Sequence, residues 1–160
     1  MSKSLARVTR ALAAAGIGSV PVAMAEGTRT AGEAAAAVGC GLDQIVKSIV
    51  FQGAGSGRVF LFLTAGGNLV DAERAAALAG EALVRADADT VRAQTGFAIG
   101  GVAPLGLVQA VPVWLDRRLL DFGQVWAAAG TPRHVFAAAP GELLRASGAT
   151  VADFTRADGG

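Results

Sequence analysis

Ile45-Val46-Lys47-Ser48-Ile49-Val50-Phe51 limits what this chain can become more than any other stretch. β-Branched and aromatic residues dominate it, and side chains alternate between faces along a strand. Ile45, Lys47, Ile49 and Phe51 share one face, and Val46, Ser48 and Val50 share the other. Both faces are mainly apolar, so the strand belongs in the interior of a sheet covered on both sides. Gln52 to Gly57 reads as a glycine-rich hairpin loop, and Val59 to Thr64 as the returning antiparallel strand. Lys47 is the one charge on the first strand. It is either a rim lysine, with its stem packed and its ammonium in water, or a cation aimed into a pocket.

Helical and strand signals alternate around this pair. Leu5, Val8, Leu12 and Ala15 recur at helical spacing and predict a helix from Ser4 to Ala15, stopped by Gly16. Lys3 and the motif Ala23-Met24-Ala25 mimic parts of a secretory leader. Arg7 and Arg10 interrupt its apolar run, however, and Gly16, Gly18 and Pro21 break the remainder, so a cytoplasmic amphipathic helix is expected. Val20 to Ala25 is an edge strand by virtue of Pro21. Thr30 and Glu33 form a capping box for a helix from Ala31 to Val38, which Gly39 ends. Asp71 caps Ala72 to Ala79, Leu83 to Arg85 is a short strand, and Asp89 caps a helix from Thr90 to Thr95. Val111 to Leu115 is a strand closing on Asp116, a turn anchor. Val125 to Ala129 and Arg133 to Ala138 make a hairpin, and Pro140 opens a last helix through Ala146. Asp158-Gly159-Gly160 is expected to fray. The mixture predicts one α+β domain over residues 1–160: a mixed, partly closed β-barrel or sheet with peripheral helices.

Composition narrows the function. Apolar residues make up 52% of the chain and charged ones 17%, enough for a packed core. The 14 basic and 13 acidic residues are interspersed, so no basic stripe exists to grip a long duplex. A nucleic acid touched only at its end stays open. Cys40 and His134 are the only residues of their kinds, which leaves no usual zinc site and no intrachain disulfide. No metal, cofactor or membrane span is expected. Cys40 reads as a packing residue, and His134, alternating with Phe136, as a structural one. No Gly-x-Ser-x-Gly elbow is present.

The stretch Gly96-Phe97-Ala98-Ile99-Gly100-Gly101-Val102-Ala103-Pro104-Leu105-Gly106 is too apolar for a linker. It reads as a backbone turn inside packed structure. Either it joins two core strands, or its bare N–H groups line a site.

These pieces, in this order, resemble the YbaK/prolyl-tRNA-synthetase-associated editing domain family. The match runs from Thr30 with Ala34-Ala35, through Ile45 to Phe51 and Gly96 to Gly106, to Leu115-Asp116, Gly130 and Pro140 to Leu144. The resemblance implies a metal-free aminoacyl-tRNA deacylase that acts on the acceptor end of a mischarged tRNA, with an aminoacyl-tRNA synthetase as a further partner. It places the family's lysine on Lys47 and its catalytic glycine loop on Gly100 and Gly101. Val102, Ala103, Pro104, Gly106, Gly130 and Thr131 then become substrate-binding positions. The chain departs from the family at Ala103, often Ser in characterised members, and at Ala127-Ala128-Ala129, where a polar residue is common. With no evident general base, the base or nucleophile falls to the substrate. The alternatives are a non-catalytic aminoacyl- or synthetase-binding module on the same scaffold, and a small acyl-ester hydrolase.

Overall fold

The computed structural model describes residues 2–25 and 28–157, so the expected fraying of 158–160 lies outside the described residues. In chain order the elements are α1 (Lys3–Ala14), β1 (Val22–Ala23), α2 (Ala31–Val38), β2 (Val46–Gly53), β3 (Val59–Ala65), β4 (Asn68–Val70), α3 (Ala72–Ala79), β5 (Leu83–Arg85) and α4 (Ala88–Thr95). There follow β6 (Val113–Asp116), β7 (Val125–Ala128), β8 (His134–Ala138), α5 (Pro140–Ser147), β9 (Thr150–Ala152) and β10 (Thr155–Ala157).

The main sheet has the order β5-β2-β3-β6-β9. β2 pairs antiparallel with β3, whereas β3–β6 and β6–β9 are parallel. β3 is buried along its whole length and forms the axis of the molecule. Its Leu61 and Leu63 face a core that also holds Val8 and Leu12 of α1, Leu115, Phe136 and Leu143. Phe60 and Phe62 face a second core with Ala75 and Phe154. There the Phe62 ring stacks on Trp114 at 5.0 Å, and Phe154 meets it edge-on at 5.1 Å. Smaller sheets, β1-β8-β7 and β10-β4, complete the fold. The α+β class with peripheral helices is as expected, but the strands make separate sheets and not a closed barrel.

Local chemistry set several elements where expected. Thr30 Oγ1 accepts from the Glu33 N–H while Glu33 accepts from the Thr30 N–H, and Gly39 ends α2 at φ 75°. Asp71 caps α3. β1 lies at a sheet edge. Two expectations are corrected. α4 starts earlier, because Asp87 and not Asp89 caps it, accepting from the Thr90 N–H at 2.7 Å. The glycine stretch 96–106 joins no pair of strands: it is a loop between α4 and β6.

Asp116 is a turn anchor, as its position suggested. Only 3% exposed, its Oδ2 accepts from the Ala65 N–H at 3.0 Å and the Asn68 side chain at 2.9 Å. Its Oδ1 accepts from the Arg118 N–H at 3.0 Å. Removing a buried acceptor strands its donors at about 1–3 kcal/mol each. Asp116→Ala should therefore lower unfolding free energy by ~2–4 kcal/mol in urea titrations, with Asp116→Asn intermediate.

Candidate functional site

A cleft of about 180 Å³ opens where β2, the β7–β8 hairpin, the start of α2 and the loop after α4 converge. Lys47 lines it from β2, and its ammonium donates to the main-chain carbonyl of Asn68. The Asn68 side chain is in turn held by Asp116, so one buried carboxylate helps fix the carbonyl that receives the lysine. Across the cleft, Thr131 Oγ1 lies 2.6 Å from His134 Nδ1 and also accepts from the Arg133 N–H at 3.2 Å. Ser48 carries the one buried side-chain oxygen without a hydrogen-bond partner among the described residues. Gly100 and Val102 line the same cleft.

The start of α2 also borders the cleft, at Thr30. The hydrogen bond from Thr30, with its positive helix end, holds the Glu33 carboxyl below its ordinary value of 4.5. Burial pushes the Cys40 thiol up, so it stays protonated at neutral pH and packs against the small core around Ala34, Ala35 and Ile45.

The loop that walls the cleft is held from below by one side chain. Arg7 of α1 donates from Nε to the Gly106 carbonyl at 2.6 Å and from Nη2 to the Gly96 carbonyl at 2.7 Å. Its guanidinium also sits 4.5 Å from the centroid of the buried Phe97 ring. The planar fork thus ties both ends of an apolar loop to one helix, a task for which lysine lacks the geometry. The opposite wall rests on the same helix. A Cβ at Gly130 would meet the Ser4 carbonyl oxygen at 2.7 Å, and φ there is 98°.

Of the residues singled out in the sequence, the structure brings Lys47, Gly100, Val102 and Thr131 together in the cleft. Gly101, Ala103, Pro104, Gly106 and Gly130 lie outside its lining. Gly101 is buried, gives its N–H to the Ala98 carbonyl at 3.0 Å, and lies so near the 131 backbone that a Cβ would approach Thr131 to 2.8 Å. Its N–H is therefore committed to the turn, and a side chain there would displace the facing loop before it reached any ligand. Ala103 is fully buried in the main core. Pro104 is buried beside it, and Gly106 faces α1 at Arg7 and Ala11. Sequence reasoning did not select Ser48, Thr30, Trp126 or His134, all of which line the cleft. Trp126 and His134 lie on strands whose alternation reads equally well as core; only the hairpin's position beside β2 turns them inward.

Known proteins resemble this chain over most of its length. The Aminoacyl-tRNA editing domain family matches residues 25–146. A crystal structure reported as a "putative trans-editing enzyme for prolyl tRNA synthetase" superposes with a TM-score of 0.90 at 48% identity, covering 98% of this chain and 99% of that one. The crystal structure of hypothetical protein APE2540 superposes with a TM-score of 0.84 at 31% identity, covering 94% and 99%. The uncharacterized protein YwhH of Bacillus subtilis is 34% identical over 114 residues, 71% of this chain and 72% of YwhH.

Arg7 makes two charge-assisted hydrogen bonds, each worth about 1.5–3 kcal/mol. Arg7→Lys should cost ~2 kcal/mol and speed amide hydrogen exchange selectively within residues 96–106. Uniform acceleration along the chain would show that Arg7 does not hold the loop in particular. A second test concerns pH. Because the folded-state Glu33 carboxyl is depressed, its contribution is complete above the ordinary value and is lost as pH falls through the folded one. The stability gap between wild type and Glu33→Gln should be present at neutral pH and close in acid.

Proposed function

We propose that this chain, which belongs to the aminoacyl-tRNA editing domain family, is a trans-acting aminoacyl-tRNA deacylase of the cytoplasm, acting as a single domain. One observation carries the reading: a lysine ammonium and a glycine loop with main-chain donors share one cleft. The ester linking an amino acid to a terminal ribose passes through a tetrahedral oxyanion on hydrolysis. The N–H groups of Gly100 and Val102 make no hydrogen bond to another described residue, which leaves them for that oxyanion. One such donor is typically worth ~10²–10³ in rate. Lys47, anchored at Asn68, orients the substrate through the ester, a ribose oxygen or a phosphate.

The mechanism we propose is metal-free and substrate-assisted. Among the described residues no group of three His, Cys, Asp or Glu side chains is placed to hold a metal. Among the described residues the cleft lining carries no carboxylate, and His134 is its one imidazole. A ribose hydroxyl, or the amino acid's own side chain, supplies the base or nucleophile. The structural relative named for prolyl tRNA synthetase makes tRNA for proline the first acceptor to try, and a synthetase the first partner. Ala127 and Ala128, apolar walls of the cleft, favour one rival: a module that binds aminoacyl groups without hydrolysing them.

The test is release of amino acid from a panel of mischarged tRNAs, beginning with tRNA for proline. Wild type should deacylate at least one, and Lys47→Ala should be slower by about 100-fold with its thermal midpoint little changed. Gly100→Ala has room, since Pro132 lies 3.8 Å from the new Cβ, but φ there is 89°. That strain, about 1–2 kcal/mol, should reset the turn and slow hydrolysis while the fold survives. Equal release by wild type and Lys47→Ala on every tRNA would remove the deacylase reading, and retention of aminoacyl ligands would then favour the binding module. Loss of hydrolysis in His134→Ala with substrate affinity intact would move the base from substrate to protein.

A further inference from the structure

The carbonyl that receives Lys47 belongs to Asn68, at the close of the tight turn Ala65-Gly66-Gly67-Asn68 between β3 and β4. Two adjacent glycines leave such a turn many backbone conformations, so its position has to be set from outside. Two carboxylates set it. Asp116, at the end of β6, takes the Ala65 N–H and the Asn68 side chain. Asp43, in a 3-10 turn at Leu42–Gln44 just before β2, accepts the Gly67 N–H on Oδ1 at 2.7 Å. Asp43 Oδ2 accepts from Arg118 Nε at 3.0 Å, and the Arg118 main-chain N–H donates to Asp116 Oδ1 at 3.0 Å. The contacts close a ring that runs from Asp116 through Arg118, Asp43 and the turn back to Asp116.

The turn lies so close on the Leu42–Gln44 segment that neither glycine has room for a side chain. A Cβ at Gly66 would collide with the Leu42 carbonyl oxygen, and one at Gly67 with Asp43 Oδ1. Asp43 is itself held in place. The Arg118 fork that grips it also binds Asp121 at 2.9 Å and lies over the Phe122 ring at 4.6 Å, so it is ordered before it meets the carboxylate. The two carboxylates differ in kind. Asp116 is buried and belongs to the fold, whereas the Asp43 side chain is 26% exposed and that of Arg118 44%. An exposed ion pair adds little to stability. What this one does is fix where the turn sits.

We propose that Asp43 is a positioning residue for Lys47: through the Gly67 N–H it sets the Asn68 carbonyl, and that carbonyl aims the ammonium into the cleft. Arg118 acts one step further out, by holding the Asp43 carboxylate. Asp43 and Lys47 belong to one short stretch of chain, so the acceptor for the lysine is referenced to the lysine's own strand. The placement of the lysine follows from these contacts; its bearing on rate rests on the deacylase reading. A group that orients substrate tolerates little displacement, since a shift of about 1 Å can cost ~10²-fold in rate.

Lys3 and Lys47 are the two lysines of the chain, so lysine labelled with carbon-13 at Cε gives one NMR reporter in the cleft and one on α1. In Asp43→Ala the Lys47 signal should move while the Lys3 signal stays. On the best mischarged tRNA, kcat should fall about tenfold with KM little changed. Asp43→Asn keeps the shape and one acceptor for the Gly67 N–H, so it should fold as wild type does and fall between wild type and Asp43→Ala in both readings. In a Lys47→Ala background Asp43→Ala should slow hydrolysis no further, because the group it positions is gone. An unmoved Lys47 signal, an unchanged kcat, or the same tenfold loss without Lys47 would overturn the assignment and leave Asp43 a structural residue of the turn. If wild type hydrolyses no mischarged tRNA, the deacylase reading fails, and the Lys47 signal alone upholds or overturns the placement of the lysine by Asp43.

Discussion

The bidentate hold of Arg7 on the Gly96 and Gly106 carbonyls is the interaction on which the rest of the site depends. The loop between α4 and β6 has no strand partner, so neither sheet pairing nor helix bonds determine its path. An arginine fork does so by fixing its two ends to α1, while Phe97 and Val102 anchor its middle in the core. The 129–132 turn settles against the same helix at Ser4 and Val8, where glycine at 130 permits backbone contact. Both walls of the cleft are thus referenced to one helix. A site so built keeps its spacing even though its donors are main-chain atoms in loops.

The third wall is stiff for a different reason. β3 is buried end to end, and β2 is registered against it by seven paired positions, which fixes the height of Lys47 and Ser48 in the sheet. Asp116 ties the far end of β3 to the start of β4, and so to the carbonyl that receives Lys47. Where the β5 pairing ends at Phe51, the edge of β2 toward Ser48 has no strand partner among the described residues.

What could be read from the sequence was what neighbouring residues decide. The α2 capping box, the α3 cap at Asp71, the β2–β3 hairpin and the anchor at Asp116 each depend on contacts that local pattern or alternation encodes. The glycine stretch was legible as a special turn but not as a strandless loop, because the residue that shapes it lies about ninety positions away, and an arginine off the apolar stripe of an amphipathic helix looks solvated. Gly101, Gly106 and Gly130 were marked as site positions through the resemblance, whereas what each approaches is backbone, at Thr131 for Gly101 and on α1 for Gly106 and Gly130. Ser48 carried no signal, since a buried hydroxyl without a partner is visible only once its surroundings are known. His134 was indistinguishable from a core residue until the hairpin turned it toward β2.

The most direct measurement is a structure of the protein with a non-hydrolysable aminoacyl-adenosine in which an amide replaces the ester. The account predicts the amide carbonyl oxygen within hydrogen-bond distance of the Gly100 or Val102 N–H, with the Lys47 ammonium on the same side of the ligand. A ligand bound away from the Lys47–Gly100 cleft, or one whose carbonyl faces the alanines of β7 while the loop donors stay in water, would contradict it.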